Sequence, residues 1–439
     1  MRGPPTRFTY AAAEVERALA EAREFPALDQ ALADVMNLRE GFREPEIYAR
    51  TLYCTGIDAL VPRVARGLNL LDRPAPGKSN DNPVIVATKF YGTGGHTQIA
   101  RDIVARLPAD ATAAIYTDVY SELRYHALQA FPGLRSDLGE RATLILDAAS
   151  PSARILELYA MLAALRPTRI VLMCHPMDIV AVAGCWPFRD VVDFIHHVDH
   201  VPAVGAALPF SGHVDVTYTC HLACRGEGLD AVYAGMAAPR TPPSARPPRP
   251  PGRPIRIATS GNPHKFKGRL SYGWTDFAVA ALRRPDTEIV HIGPAHDWLR
   301  DEVGQALAGA GVDPARYVFQ GFVPSLHAAL LELETDVYLS SFPEPGGKAS
   351  LEAMAAHLPM ILPVPHDQPP LARFRLPLHR WIEIERPDQL PAALDAALAL
   401  GDALRSPAEV ARLEAELARF DRWVAGERPA PVPAERLPD

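Results

Sequence analysis

The sequence predicts an α/β protein with two open, mainly parallel sheets in separate domains. From Pro83 onward, short apolar runs such as PVIVAT and RIVLMC alternate with segments of helical period. A second alternating series runs from PIRIATS, which begins at Pro254, to PMILPV, which ends at Val364. Strands that alternate with crossover helices are typical of a parallel sheet covered on both faces. The chain has 439 residues, which is long for one core and fits two domains.

The segments around these two series complete the predicted organisation. The stretch PRTPPSARPPRPPGRP has too few backbone donors for a helix or a central strand, and its prolines favour an extended connection. Helical patterns precede the first series and follow the second. We therefore predict a helical N-terminal region (1–79), a first Rossmann-like domain (80–238), a proline-rich linker (239–254), a second Rossmann-like domain (255–388), C-terminal helices (389–427) and a disordered tail (428–439).

Composition argues against several classes of partner. The 45 basic and 52 acidic side chains give a mildly negative chain, which does not favour nucleic acid. Five cysteines are few and odd in number, as expected for reduced thiols in the cytoplasm. No signal peptide is recognisable, and the most apolar stretch, IVLMCHPMDIVAVAG, is too short and too polar for a transmembrane segment. We expect a cytoplasmic protein that could form oligomers through its N-terminal helices.

A glycine turn follows the first predicted strand. In FYGTGGHT, Gly92, Gly94 and Gly95 lie between the strand and a helix. Glycines permit close backbone approach, and the amino end of a helix offers unpaired N–H groups to an anion. The turn could therefore hold a phosphate, or it could be a tight turn without a ligand. Its spacing does not fit the dinucleotide fingerprint of nicotinamide-binding proteins.

A second loop, after the first strand of the second domain, carries lysines. The sequence GNPHKFKG places Lys265 and Lys267 just before Gly268. A hydrogen bond to a charged group contributes roughly 1.5–3 kcal/mol, against about 0.3–1 kcal/mol for a helix terminus near the surface. A lysine here would dominate phosphate affinity, and the alternative is a pair of solvated surface lysines.

The third motif is FPEPGGKASLEAMAAHLPM, in which a glycine turn opens a helix. Glu344 precedes Gly346 and Gly347, the helix is predicted to begin near Lys348, and Glu352 lies one turn into it. Carboxylates accept hydrogen bonds from vicinal hydroxyls, which sugars and riboses supply in pairs. The alternative is a solvated loop acid followed by a favourable acid in the first turns of a helix.

Together these motifs resemble nucleotide-sugar glycosyltransferases of the GT-B fold, which has two facing Rossmann-like domains. The resemblance is to the large retaining family that includes glycogen synthases and bacterial mannosyltransferases. Its hallmark is two glutamates with seven residues between them, matched here by Glu344 and Glu352. The order of the phosphate loop from Gly261 to Gly268, IVHIGP, VFQGFVP and DVYLSSFPE also agrees. It covers roughly 160 residues of the second domain well and the first domain more loosely.

The resemblance implies roles for the matching residues. Lys267 would contact the donor diphosphate, Glu352 the ribose hydroxyls and Glu344 the transferred sugar. Gly94 and Gly95 would approach the diphosphate or sugar from the first domain. The remaining positions expected to bind the donor are Gly346, Gly347 and Lys348.

One position of the phosphate loop departs from the retaining family. The residue after the first glycine is Asn262, where that family has arginine. An amide three residues before a phosphate-binding lysine, as in Asn262 and Lys265, resembles instead the O-linked N-acetylglucosamine transferases. Either Lys265 or Lys267 could therefore bind phosphate, and either retention or inversion remains open.

Histidines gather after a predicted strand of the first domain, in DFIHHVDH. Histidine titrates near neutrality and can act as a general base for an acceptor hydroxyl. We predict His200 as this base, with His197 as the second choice, and His175 as a residue lining the acceptor cleft. A metal-binding alternative would pair His196 with His200, with Cys220 and Cys224 as further ligands.

We expect no metal ligands and no cofactor beyond the nucleotide-sugar substrate. The chain contains no Asp-x-Asp pair, the metal clamp of the other major glycosyltransferase fold. Charge on the departing diphosphate would then be stabilised by lysine and helix termini.

The resemblance thus implies a glycosyltransferase that uses a nucleotide-sugar donor, with uridine as the expected base. The acceptor could be a protein, a glycan or lipid-linked sugar, or a small metabolite. The alternatives are a nucleotide-sugar epimerase or phosphorylase of the same fold, and a catalytically silent nucleotide-sugar-binding subunit.

Overall fold

A computed structural model describes residues 7–21, 25–42, 44, 46–70, 82–89, 95–108, 113–120, 143–240, 250, 252–378 and 381–432. The chain divides into two compact units. Unit 1 comprises Met1–Gly235 and Phe420–Asp439, and unit 2 comprises Met236–Arg419. Most of the predicted linker (241–249 and 251) and of the predicted tail (433–439) lies outside the described residues.

Unit 1 alternates strands and helices after an N-terminal group of helices. Its described elements are α1 (Arg7–Glu21), α2 (Phe25–Asn37), α3 (Thr55–Gly67), β1 (Pro83–Ala87), α4 (Gly95–Val104), β2 (Ala113–Tyr116), β3 (Thr143–Ile145), α5 (Pro151–Leu165), β4 (Arg169–Met173), α6 (Ile179–Cys185), β5 (Val192–His196), β6 (Gly212–Asp215), α7 (Tyr218–Gly226) and β7 (Ala231–Tyr233).

Within the described residues, the strands of unit 1 form one parallel sheet in the order β3-β2-β1-β4-β5-β6-β7. Every residue of β1 is buried, as expected for a central strand covered on both faces. The strand order reverses between β1 and β4, so the loops after these two strands leave the sheet in opposite directions. Open α/β sheets bind ligands at such a reversal, outside the carboxyl ends of the strands.

The N-terminal helices belong to the core of unit 1. Leu32 of α2 and Ile57 of α3 are fully buried in the same apolar cluster as Val84 of β1 and Ile170 of β4. The carboxylate of Asp58 in α3 accepts hydrogen bonds from the backbone of the loop after β5. The apolar faces of α2 and α3 are therefore buried in the same core as the first sheet.

The end of the chain returns to unit 1. The Arg169 guanidinium donates hydrogen bonds to the carbonyls of Val424 (2.8 Å) and Trp423 (3.1 Å) and forms an ion pair with Asp193 (2.7 Å). The same guanidinium lies 5.0 Å from the centre of the Trp423 ring. One arginine at the start of β4 thus fixes the C-terminal segment against the amino edge of the sheet.

Unit 2 is a second α/β layer structure. Its described elements are β8 (Ile255–Ser260), α8 (Trp274–Leu282), β9 (Thr287–Ile292), α9 (Asp297–Gly309), β10 (Tyr317–Gly321), α10 (Leu326–Glu332), β11 (Val337–Leu339), α11 (Gly347–Ala355), β12 (Met360–Pro363), β13 (Trp381–Ile384), α12 (Leu390–Leu400) and most of α13 (Pro407–Val424).

The strands of unit 2 that the structure describes form a parallel sheet in the order β10-β9-β8-β11-β12-β13. Here the order reverses between β8 and β11, which are hydrogen-bonded neighbours. The loop after β8 and the loop after β11 therefore start side by side at the carboxyl edge. The first is the lysine loop (261–268), and the second is the glutamate loop (340–346), which contains Glu344.

The predicted fold class is confirmed: the chain is α/β, with two parallel sheets covered by helices. The edge strands β7 and β13 were not among the predicted strands. None of the helices in the described ranges is long and apolar enough to cross a bilayer.

Candidate functional site

In unit 2, two glycines bring the ends of β8 and β9 close together. Gly261, directly after β8, donates a hydrogen bond to the carbonyl of Ile292 at 3.2 Å. Gly293, directly after β9, has a φ of +138°, and a Cβ atom there would lie 2.5 Å from the Gly261 carbonyl oxygen. Only glycine fits this contact without a backbone shift. The lysine loop is thereby fixed at its first residue.

The lysine loop continues as a short 3₁₀ helix, Pro263–Phe266, which Asn262 precedes in extended conformation. Phe266 of this helix is buried, with 2% of its surface exposed. Its ring packs edge-on against Trp274, with ring centres 4.9 Å apart. The packing of Phe266 in the core holds the loop in place after β8.

The lysine loop contacts the glutamate loop directly. Lys265 Nζ donates to the carbonyl oxygen of Pro345 at 3.1 Å, and the Glu344 N–H donates to the carbonyl of Lys265 at 3.3 Å. His264 Nε2 lies 3.9 Å from a Glu344 carboxylate oxygen. The structure thus brings Lys265 and Glu344, 79 positions apart in the sequence, to one place. A cationic amine lies beside the glycine turn that opens α11.

Lys267 is placed differently from Lys265. It is exposed, and it follows the 3₁₀ helix with its N–H donated to the carbonyl of His264 at 3.2 Å. Gly268 follows with a φ of +106°. Of the two lysines, Lys265 is the one held against the glycine turn.

Helix α11 begins on the two glycines of the motif. Gly346 is its N-cap and Gly347 its first residue, so no capping side chain covers the amino end of the helix. The N-terminus of a helix attracts anions through its N–H groups and its dipole. Lys348 follows, and its amine donates to the carbonyl of Ala237 within unit 2. This amine ties the first turn of α11 to the segment after β7.

Glu352 reaches the neighbouring helix. Its Oε2 accepts a hydrogen bond from the backbone N–H of His327, in the first turn of α10, at 3.2 Å. Ser325, the N-cap of α10, accepts from the N–H of Ala328. Glu352 therefore fixes the amino end of α10 to α11, and its half-buried carboxylate lies near the carboxyl edge of the sheet.

In unit 1, a buried carboxylate organises the corresponding edge. Asp178, the N-cap of α6, accepts from the hydroxyls of Thr88 and Thr117 at 2.5 Å each and from the N–H of Ala181 at 2.9 Å. Thr88 in turn accepts from the N–H of His175 at 2.7 Å. The loops after β1, β2 and β4 are thus joined through one side chain.

Histidines lie at this edge of unit 1. His96, in the first turn of α4, stacks on His197 with ring centres 4.5 Å apart and planes 17° apart. Burial holds the pKa of His96 well below its usual value and lowers that of His197 to about 4, so both rings are neutral at neutral pH. The sequence reasoning named His197 but missed His96, although His96 directly follows the glycine turn. Gly95 begins α4, whereas Gly94 lies outside the described residues.

His175 lies after β4 on the same edge. Its Nδ1 is 2.9 Å from the hydroxyl of Tyr120, and the Arg39 guanidinium lies over the Tyr120 ring at 3.7 Å. Burial, and then the positive charge of Arg39, lower the pKa of His175 to about 3. His175 is therefore a neutral hydrogen-bonding group, and Arg39 supplies a cation that the sequence reasoning did not single out.

His200 is paired with a carboxylate. Its Nδ1 lies 3.1 Å from Asp199 Oδ1, and its side chain is 43% exposed. A histidine oriented by a carboxylate is the usual arrangement of a general base. His196, by contrast, ends β5 and is buried, and residues 197–200 do not continue as a helix. His196 and His200 therefore do not lie one turn apart on a helix, as their i,i+4 pairing in the metal-binding alternative would require.

Comparisons with known proteins bear on the fold. No protein-family profile and no curated protein sequence matches the chain. HepE of Anabaena, solved in complex with UDP and glucose, aligns over 79% of this chain and 99% of its own, at 12% identity and a TM-score of 0.55. A glycosyltransferase of Rickettsia africae covers 79% of this chain and 98% of its own, at 11% identity and a TM-score of 0.55.

A third solved structure agrees. The lipopolysaccharide outer core galactosyltransferase WaaB, in its apo form, covers 79% of this chain and 99% of its own, at 11% identity and a TM-score of 0.52. At such identities the likeness concerns the fold. The chain has the two-sheet GT-B fold that these glycosyltransferases share.

Proposed function

We propose that this protein is a glycosyltransferase that moves a sugar from a uridine-diphosphate-linked donor to an acceptor hydroxyl. The observation that carries the proposal is the hydrogen bond from Lys265 Nζ to the carbonyl of Pro345, the residue before the Gly346–Gly347 turn. It lies where the strand order of the second sheet reverses. A fixed amine and the uncapped amino end of a helix at that position suit a diphosphate.

In this proposal, each candidate site residue of unit 2 has a role in binding the donor. Lys265 binds the diphosphate, and the first turn of α11 with Lys348 supports it. Glu352 accepts from the ribose hydroxyls, and Glu344 accepts from the sugar that is transferred. Preorganised hydrogen-bond donors and cations of this kind stabilise the negative charge that develops on the leaving diphosphate, without a metal ion in the reaction.

Unit 1 supplies the acceptor side in this proposal. His200, oriented by Asp199, takes the proton from the acceptor hydroxyl as the new glycosidic bond forms. The stacked pair of His96 and His197 is neutral and lines the same edge of the sheet.

The proposal is tested by incubating the full chain with UDP-glucose, UDP-galactose or UDP-N-acetylglucosamine and a cell extract. Mass spectrometry of donor-dependent products identifies the acceptor as a protein, a glycan or lipid-linked sugar, or a small metabolite. The Glu344→Gln variant should lose product formation, whereas Glu302→Gln, an exposed acid on α9, should retain it.

Two results would contradict the proposal. An isomerised donor sugar without a glycosylated product would indicate an epimerase. Donor binding without any turnover across the extract would indicate a silent binding subunit. For a productive acceptor, the anomeric configuration of the product by nuclear magnetic resonance assigns the enzyme as retaining or inverting.

A further inference from the structure

Four buried side chains of unit 1 converge on one point beneath the carboxyl edge of the first sheet. They come from the end of β5, from both ends of one face of β6, and from α7: His196, His213, Asp215 and Cys224. The largest exposure among them is the 7% of His213, and each offers one ligand atom within 4.8 Å of the others. None of them has a role in the donor or acceptor site proposed above.

Five of the six separations between these atoms are nearly equal, and the sixth, between the two imidazole nitrogens, is within 4.8 Å. Asp215 Oδ1 lies 3.4 Å from His196 Nδ1, 3.3 Å from His213 Nε2 and 3.3 Å from Cys224 Sγ. Cys224 Sγ lies 3.3 Å from His196 Nδ1 and 3.2 Å from His213 Nε2. Five of the six edges of a tetrahedron thus fall between 3.2 and 3.4 Å.

These edges match the coordination shell of a zinc ion. Zinc bonds of roughly 2.0–2.3 Å in a tetrahedron separate neighbouring ligand atoms by about 3.3–3.7 Å. Without a cation, one carboxylate oxygen, Asp215 Oδ1, would be approached by three potential hydrogen-bond donors: two imidazoles and a thiol. Two imidazole nitrogens, a carboxylate and a thiolate form a donor set that zinc prefers.

The fold explains how these residues meet. His213 and Asp215 are two positions apart on β6, so their side chains lie on the same face of the sheet. His196 is aligned with Asp215 on the adjacent strand. Cys224 lies two turns into α7, which begins three residues after β6 ends.

One further side chain contacts the cluster from outside. The second oxygen of Asp215 lies 3.3 Å from His221 Nδ1, one turn before Cys224 on α7. Groups of this kind orient the residues that bind a metal. All four tetrahedral positions come from the protein, and the cluster is buried, which is typical of structural rather than catalytic zinc sites.

We propose that unit 1 binds one Zn²⁺ through His196 Nδ1, His213 Nε2, Asp215 Oδ1 and Cys224 Sγ. The ion joins β5, β6 and α7 and has no open position for a substrate. The proposal departs from the sequence-based prediction of no metal ligands. It shares His196 and Cys224 with the metal alternative considered there but replaces the other ligands. It is independent of the function proposed above.

The test uses the purified full chain. Inductively coupled plasma mass spectrometry after incubation with ZnCl₂ and desalting should find one zinc per chain. Replacement by Co²⁺ should give the visible d–d bands of tetrahedral cobalt and a thiolate-to-cobalt charge-transfer band. Stripping with a chelator should lower the Tm, and Zn²⁺ should restore it where Mg²⁺ does not.

Matched cysteine variants locate the ligand. Cys224→Ser should lose the charge-transfer band and most of the bound zinc. Cys220→Ser, one turn earlier on α7 and equally buried, should retain both. If Cys224→Ser does not fold, the cobalt spectrum of the wild-type chain decides. A wild-type chain that retains little zinc and shows no tetrahedral cobalt bands would overturn the proposal in favour of a metal-free hydrogen-bonded cluster.

Discussion

Replacing Lys265 by methionine should weaken UDP binding by about 10- to 150-fold. A hydrogen bond to a charged group contributes about 1.5–3 kcal/mol, and each 1.4 kcal/mol is a factor of ten in affinity. Lys265 is half-buried and already held against the Pro345 carbonyl, so little side-chain entropy is lost when a diphosphate binds. The exposed Lys267 should contribute about 1 kcal/mol or less, which corresponds to about fivefold or less.

Isothermal titration calorimetry of UDP into the wild-type chain and into Lys265→Met, Lys265→Arg and Lys267→Met separates the two lysines. Lys265→Arg retains the charge and should bind UDP more tightly than Lys265→Met. Because Lys265 also supports the glutamate loop, the Tm of each variant is measured alongside. The reasoning is refuted if Lys267→Met loses most of the affinity while Lys265→Met binds UDP like the wild type.

Three further predictions concern the same unit. Gly293→Ala places a Cβ atom 2.5 Å from the Gly261 carbonyl and should cost roughly 1–3 kcal/mol of unfolding free energy. Gly304→Ala in α9, where the added Cβ atom meets open space, should not destabilise the protein. Denaturant titration that finds equal effects for the two variants would contradict this packing argument. Burial lowers the pKa of His291 to about 4, so its contribution to stability is complete above about pH 6.5 and is lost as the pH falls toward 4, by roughly 3 kcal/mol. Between pH 7 and 4.5 the Tm of His291→Asn should therefore fall less than that of the wild type. An equal fall in the two proteins would count against this. Glu352→Gln should raise the Kd for UDP while its amide oxygen still accepts from the backbone of α10; UDP affinity equal to that of the wild type would argue against a ribose contact.

The strands, the lysine loop and the glutamate loop were predictable because their signals are local. Apolar runs such as that of β1 are bounded by turn residues, and the glycine turn before α11 ends the loop that follows the buried strand β11. The contact between Lys265 and Pro345 follows from the strand order, which places β8 beside β11. No local pattern states that order, so only the structure shows which of the two lysines lies beside the glycine turn.

The missed features depend on contacts between distant segments. β7 and β13 are short edge strands of three and four residues, and their sequences carry little periodic signal. His213 and Asp215 have strand spacing, whereas the metal alternative drawn from the sequence looked for helical spacing. Cys224 joins them only because α7 folds back over β6. The burial of α2 and α3 in the core of unit 1 was likewise not visible in the helical pattern alone.

The central claim is that the loops after β8 and β11 bind the nucleotide-sugar donor. Hydrogen–deuterium exchange of the full chain, with and without saturating UDP, tests it most directly. We predict slower exchange of backbone amides in residues 261–268 and 346–352, with little change in the amides of α9. Protection confined to other segments, with these two loops exchanging at unchanged rates while UDP is bound, would contradict the account.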